Sequence, residues 1–226
     1  ENDLFYGNVI ASFDSVTLRG RFTDLRLSVH NVSPAAKSRI FIPVNSSGEA
    51  GSYSYVTFKN YNKTQDKIIQ KRKDKFSISI DANMNTLAEM VIVLDPSNGD
   101  EIRAKGDGRI QIDVPANSDM TMTGLYVVEN GTYTYTFNQY LLKRTFRLDA
   151  GSTISFNGPF SSTSLNVDAT YRVKAKLADL LTETEKRSLQ NAEATDANTP
   201  QWVNVKINMS GPLAKPQFTF NLDLED

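Results

Sequence analysis

The sequence predicts an all-β protein, a single long antiparallel meander, and three observations carry that prediction. Hydrophobic residues recur at every second position from one end of the chain to the other, which puts them on one face of extended strands. Pairs rich in Gly, Asn, Asp and Pro separate those runs at hairpin spacing. The chain has 226 residues, 39% hydrophobic and 23% charged, enough to bury a substantial core as one domain over residues 1–226.

Taken in order, Val16, Leu18 and Phe22 alternate with Thr17, Arg19 and Thr23, and Leu25, Leu27 and Val29 alternate with Arg26, Ser28 and His30. Phe76, Ile78 and Ile80 form the next run, followed by Ile110, Ile112 and Val114. Tyr133, Tyr135 and Phe137 are set against Thr132, Thr134 and Thr136; Phe146 with Leu148 and Ile154 with Phe156 follow. A long run from Leu165 through Val167, Ala169, Tyr171 and Val173 to Leu177 precedes the last, Phe218, Phe220, Leu222 and Leu224. Turns are expected at Asn98-Gly99-Asp100, Asn130-Gly131, Ala150-Gly151-Ser152, Asn157-Gly158-Pro159 and Gly211-Pro212. Two segments break the period. Residues 63–75 are basic and poor in apolar residues, and read as a solvated loop or frayed helix, whose cations would attract anionic headgroups were it to meet a lipid surface. Residues 178–198 read as one short helix or loop.

Composition narrows the function classes. Lys plus Arg is 25 against Asp plus Glu at 26, so no global positive field exists to hold a nucleic-acid backbone. The absence of cysteine removes disulfides, zinc-thiolate sites, iron-sulfur clusters and thiol nucleophiles together. One histidine, His30, leaves a single base for any Ser-His-Asp relay, and it sits opposite the apolar positions of its strand, where an exposed strand residue is expected. Asp95, Asp100, Asp107 and Asp113 lack the spacing of a calcium loop and read as turn and edge residues. Gly106-Asp107-Gly108 precedes a strand rather than a helix and is no phosphate-binding turn. Neither catalysis nor a cofactor is expected. No run reaches the roughly 18 apolar residues of a membrane-spanning helix, and Arg172, Lys174 and Lys176 in mid-strand oppose a transmembrane barrel. The first residues contain no initiator Met and no signal-like segment, so a piece of a longer chain is expected.

From Met84 to Leu181 an ordered series of small motifs adds a further signal. It runs Met84-Asn85, Val91 to Asp95-Pro96, Gly99-Asp100, Gly106-Asp107-Gly108, Gly124-Leu125-Tyr126 and Gly131-Thr132-Tyr133-Thr134-Tyr135. It continues with Phe146-Arg147-Leu148, Gly151-Ser152, Ile154-Ser155-Phe156-Asn157-Gly158 and the strand Leu165 to Tyr171. This series resembles the C-terminal domain of TamB, the translocation and assembly module of Gram-negative envelopes. Ile40 to Pro43 with Tyr53 to Phe58, and Val205 to Leu224, are similar to the flanking family segments. Departures are conservative in bulk: Pro159-Phe160 stands where Asp-Pro-Tyr is frequent, Phe156 where Trp is frequent, and Tyr135 where Phe is usual.

The resemblance implies a sheet curled into a U-shaped β-taco with an open, apolar concave groove. It also implies a periplasmic location with an inner-membrane anchor outside this chain, and work with a TamA-like outer-membrane assembly-factor barrel. The implied cargo is phospholipid, held by its acyl chains, and the sheet edges would add to the rest of the same chain by β-augmentation. The residues expected to line the groove are Ile110, Ile112, Tyr133, Tyr135, Phe137, Phe146, Leu148, Ile154, Phe156, Leu165, Val167, Tyr171, Val173, Phe218 and Phe220. Alternation by itself fits the core of a closed sandwich equally well. The alternative function is a surface carbohydrate-binding or adhesive β-sandwich.

Overall fold

A computed structural model describes residues 6–44, 75–96, 98–116, 118–137, 142–180 and 198–224. These form fourteen strands: β1 (Tyr6–Asn8), β2 (Ala11–Ser12), β3 (Ser15–Arg21), β4 (Asp24–Pro34), β5 (Arg39–Pro43), β6 (Lys75–Met84) and β7 (Glu89–Asp95) come first. They are followed by β8 (Asp100–Val114), β9 (Thr121–Phe137), β10 (Leu142–Leu148), β11 (Thr153–Pro159), β12 (Ser164–Lys176), β13 (Pro200–Pro212) and β14 (Gln217–Leu224). Several short strands are consecutive pieces of one row: β1, β2 and β3 together run antiparallel along β4 and β5, from Tyr6 opposite Phe41 to Arg21 opposite Asp24. Likewise β6 and β7 share one edge of β8, and β10 and β11 share one edge of β9. The result is one sheet whose rows follow chain order, as the turn spacing led one to expect.

One junction departs from the antiparallel pattern. β4 pairs β6 and β5 pairs β7 in parallel register, for example Leu27 opposite Ile78 and Phe41 opposite Val91. Parallel neighbours need a crossover of a dozen or more residues, and the chain between Pro43 and Lys75 supplies that length. Apart from Lys75, which opens β6, the basic segment 63–75 lies outside the described residues, as does Tyr53 to Phe58. Of the segment 178–198, residues 178–180 belong to a short 3-10 turn, Leu177–Leu180, and 181–197 lie outside the described residues.

A crease crosses the sheet at one level. The breaks at residues 9–10, 35–38 and 85–88 lie side by side, followed by a register shift at Lys105/Gly106 against β9 and by the turn after Leu148. Side chains stitch these breaks together. The Ser38 hydroxyl donates to the Ile10 carbonyl at 2.9 Å and accepts from its N–H at 3.0 Å. Asn85 donates to the Pro34 carbonyl at 2.9 Å, and Ser152 donates to the Asp149 carbonyl at 2.7 Å while accepting from the Asp168 N–H at 3.0 Å. The shift in β9 skips Glu129, so the inward positions change from Tyr126 and Val128 to Gly131, Tyr133 and Tyr135. Asn130-Gly131, expected as a turn, is therefore a bulge inside one long strand. Asn157-Gly158-Pro159 and Gly211-Pro212, likewise expected as turns, close β11 and β13 rather than connecting them. Backbones approach closely along the crease: a Cβ on Gly106 would sit 2.0 Å from the Val127 carbonyl oxygen.

The sheet also splays. β10 pairs β12 only at Arg147–Thr170 and Leu148–Ala169, although β12 continues along β13 to Lys176. The last rows thus turn away from β10, and β14 swings over the face of β9. Four row spacings separate these strands, roughly 19 Å in a flat sheet, yet the Tyr135 and Phe218 rings are 6.1 Å apart. Burial follows from this curvature, and Tyr126, Ile154, Val167 and Met209 are fully buried between rows of a single sheet.

Candidate functional site

The inward face is apolar from the first row to the last, and its depth of cover changes along it. In the middle and later rows it is a packed core that includes Ile110, Phe156, Leu165 and Val167 with Ile207. At the crease the cover parts, leaving a concavity of about 460 Å³. Its walls come from five rows: Tyr6 and Val9; Val32, Pro34, Ile40 and Ile42; Ile80, Ala82 and Met84; Ile112; and Met120 with Met122. Among the described residues no charged one lines it. Beyond it the apolar face continues into the open: Val16, Leu18 and Phe76 are about half exposed, and Phe22 is 94% exposed. Val16, Leu18 and Phe76 share the inward face by register, as in Val16 opposite Val29 opposite Ile80 opposite Ile112, and Phe22 lies in the turn between β3 and β4.

Of the residues expected to line a groove, Ile112 opens onto this concavity. Ile110, Tyr133, Phe146, Leu148, Ile154, Phe156, Leu165 and Val167 are at most 3% exposed and form the floor beyond it. Tyr133, Tyr135, Phe146, Tyr171 and Phe218 are brought together across the splay: Phe146 lies 5.6 Å from Tyr171, and Tyr133 lies 6.1 Å from Phe146 and 6.5 Å from Phe218. Val173 is half-buried near the far end of β12, and Phe220 is half-exposed on β14. The side chain of Phe137 lies outside the described ones. Other walls of the concavity carry a legible signal too: Met120 and Met122 alternate with Thr121 and Thr123, and Ala82 and Met84 extend the run of Ile78 and Ile80 against Asp81 and Asn83.

The aromatic cluster is dry at its base. Burial pushes the Tyr133 hydroxyl far above the usual tyrosine range, with Asp100 and then Tyr135 adding to the effect. Tyr126 is raised likewise, first by burial, and donates to the Ala104 carbonyl at 3.3 Å. Both act as large apolar side chains with one polar tip.

The outward face is built for water. Arg39 pairs Glu89 at 2.6 Å, Arg103 pairs Glu101 at 2.6 Å, and Arg109 grips Asp81 with two nitrogens at 3.0 and 2.9 Å. Trp202 is an exposed aromatic on this side, but Arg172 lies 4.2 Å and Lys174 5.0 Å from its ring, so its face is taken by cations rather than left as a platform for sugar. His30 is exposed on a strand opposite Ser15, as expected, whereas Asp107, expected as a turn or edge residue, is exposed in the middle of β8 opposite Val127, because the 15-residue strand runs on through Gly106 and Gly108. Among the described residues no cluster of three or more His, Asp or Glu could hold a metal ion. Nor is any described helix long and apolar enough to cross a membrane.

The model of the TamB C-terminal domain matches residues 14–224. The chain belongs to the TamB C-terminal domain family. No curated protein and no solved structure matches it. TamB membership points to a non-enzymatic envelope protein with a role in outer-membrane biogenesis, from a family that works with a TamA-like assembly factor. The match begins within the exposed first row and ends in β14, so it spans both the open and the closed parts of the apolar face.

Proposed function

We propose that this TamB domain is a hydrophobic conduit of the periplasm, a U-shaped trough that carries phospholipid by its acyl chains. In this reading it is held to the inner membrane by a segment outside this chain and delivers to a TamA-like barrel. The observation that carries the reading is the uncharged concavity of about 460 Å³ at the crease, continuous with an exposed apolar face. Its size falls within the usual range of about 300–1,000 Å³ for ligand pockets. Each methylene withdrawn from water is stabilised by about 0.8 kcal/mol, so a bare acyl chain faces a barrier of roughly 10 kcal/mol in an aqueous compartment. A face of Ile, Val, Leu, Met and Phe at every second position removes that barrier without a deep pocket to trap the cargo.

The proposed lining is Ile112 at the open part, with Ile110, Tyr133, Tyr135, Phe137, Phe146, Leu148, Ile154, Phe156, Leu165, Val167, Tyr171, Val173, Phe218 and Phe220 as the floor and far wall. The edges, β3 and β14, offer ladders for β-augmentation by the rest of the chain or by an opened barrel seam.

Mass spectrometry of organic extracts from the purified chain tests this. Phospholipid is expected in the extract, with several-fold less from Ile112→Asp. Equal phospholipid in a folded Ile112→Asp protein, or none in either, would contradict the proposal. Leu148 is 3% exposed, so Leu148→Asp would report on folding rather than on cargo.

A further inference from the structure

We propose that the concave face carries a headgroup-reading site at the splayed end, in which Asp100 takes the ammonium and Arg144 the phosphate of a zwitterionic aminophospholipid. The inference rests on the lipid-conduit reading and adds to it which lipid is favoured.

Asp100 opens β8 two residues before the fully buried Ile102, and so points to the apolar face. It is 8% exposed, and its Oδ1 has no hydrogen-bond partner among the described residues. An unpaired buried carboxylate oxygen on an apolar surface is costly, and Asp100 has no role in the ion pairs that line the outward face. On the β7 side its register partner is Asp95; on the β9 side it faces an aromatic. Glu101 pairs Thr134, so the next step of the same register sets Asp100 against Tyr135.

On the other side of Tyr135 stands Arg144. It alternates with Phe146 and Leu148, which places it on the inward face, where its guanidinium lies 5.8 Å from the Tyr171 ring. It donates to the Lys143 carbonyl at 3.1 Å and pairs with no carboxylate among the described residues. A carboxylate and a guanidinium thus flank one tyrosine, two strands or roughly 10 Å apart. Among the described residues no ion pair joins the two.

The chemistry selects the ligand. A phosphate and an ammonium joined by a short linker can reach both groups through charge-assisted hydrogen bonds of about 2.7–2.9 Å. Tyr135 and Phe218, both partly exposed, offer ring faces to the cation. The acyl chains would leave the site along the dry floor of Tyr133 and Phe146. A headgroup without an ammonium would leave Asp100 unmatched and add a negative charge beside it.

The test is competition binding of acyl-labelled phospholipids with ethanolamine, choline or glycerol headgroups to the full chain, in detergent-free solution. The ethanolamine lipid is expected to bind about 10-fold tighter than the glycerol lipid, one charge-assisted bond's worth, and the choline lipid, whose quaternary ammonium has no N–H to donate, falls between them. Asp100→Asn should erase that preference, and Asp100→Glu should restore part of it. Arg144→Gln should weaken all three lipids alike. Soluble glycerophosphoethanolamine, with the same charges and no acyl chains, should compete at least 100-fold more weakly.

Equal binding of the three lipids by the wild-type chain overturns the headgroup site and leaves the conduit intact. So does a preference that survives Asp100→Asn. Tight binding of the soluble compound would overturn the lipid assignment of the site. No binding of any labelled lipid would overturn both readings.

Discussion

The first rows and the middle rows of this sheet have the same alternation and opposite fates. In β3, β4 and the start of β6, every second residue is apolar and much of that surface stays wet: Leu18 is 59% exposed and Phe76 49%. In β9, β11 and β12 the same pattern is sealed, with Tyr126, Ile154 and Val167 fully buried. Composition does not separate them. What differs is what lies opposite. The splay between β10 and β12 lets the last rows fold over β9, whereas among the described residues nothing comparable folds over β3. An open apolar face is thus a consequence of sheet geometry, and residues of one chemical type become a core in one place and a conduit wall in another.

That contrast can be broken by substitution. In urea unfolding, Phe156→Ala in the sealed rows should cost about 3–5 kcal/mol, because it leaves a cavity. Leu18→Ala in the open rows should stay within about 0.5 kcal/mol. Equal losses would mean that the two regions are packed alike. Next in size is Gly106→Ala at the crease. The new Cβ meets backbone rather than a movable side chain, and a loss of roughly 2–3 kcal/mol is expected by thermal or chemical melting. A neutral result would show that the crease is slack.

Ser152→Ala removes a buried stitch between the turn after β10 and β12, leaving the Asp168 N–H without that partner. A loss of about 1–2 kcal/mol is expected, together with faster amide exchange at Asp168. Unchanged exchange there would show that the bond does not hold the junction.

The smallest effect concerns pH. Arg109 donates to Asp81 and holds its carboxyl below the usual 3.8, the hydrogen bond first and its charge after, with burial opposing. A depressed pKa stabilises the fold fully above the unfolded value and progressively less as pH falls through the folded one. Asp81→Asn should therefore lose the pair's small contribution at pH 7, modest because Arg109 is exposed, and flatten the stability profile below about 3.8, so that variant and wild type converge as pH falls. An unchanged acid limb would show that this pair is not linked to folding.

Much of this architecture was legible in the residues. Period-two patterning identified the apolar side of nearly every strand, and the ordered glycine and aromatic motifs from Met84 onward identified the family that the later match over residues 14–224 supports. Depth was not legible, because alternation tells which side a residue faces and nothing of what covers it. Tyr126 and Tyr133 are seven residues apart, an odd spacing that should put them on opposite faces; the bulge at Glu129 returns both to the inside. The parallel junction between the second and third rows depends on how a long connection returns, which local patterning does not encode. Asp100 read as a turn residue after Gly99, and Arg144 as one more strand cation, because their meeting across Tyr135 depends on register between three strands. Neither belonged to the set of residues first expected to matter.

The central claim is that an acyl chain lies along the inward face at the crease. Photo-cross-linking with a phospholipid bearing a diazirine in its acyl chain, followed by peptide mapping, tests this most directly. The account predicts that label, located to the residue by fragmentation of the peptides, falls on Val32, Ile80, Met84, Ile112 and Met122. Label concentrated instead on outward positions such as Leu125 and Val127, or no label above that of a soluble control protein, would contradict it.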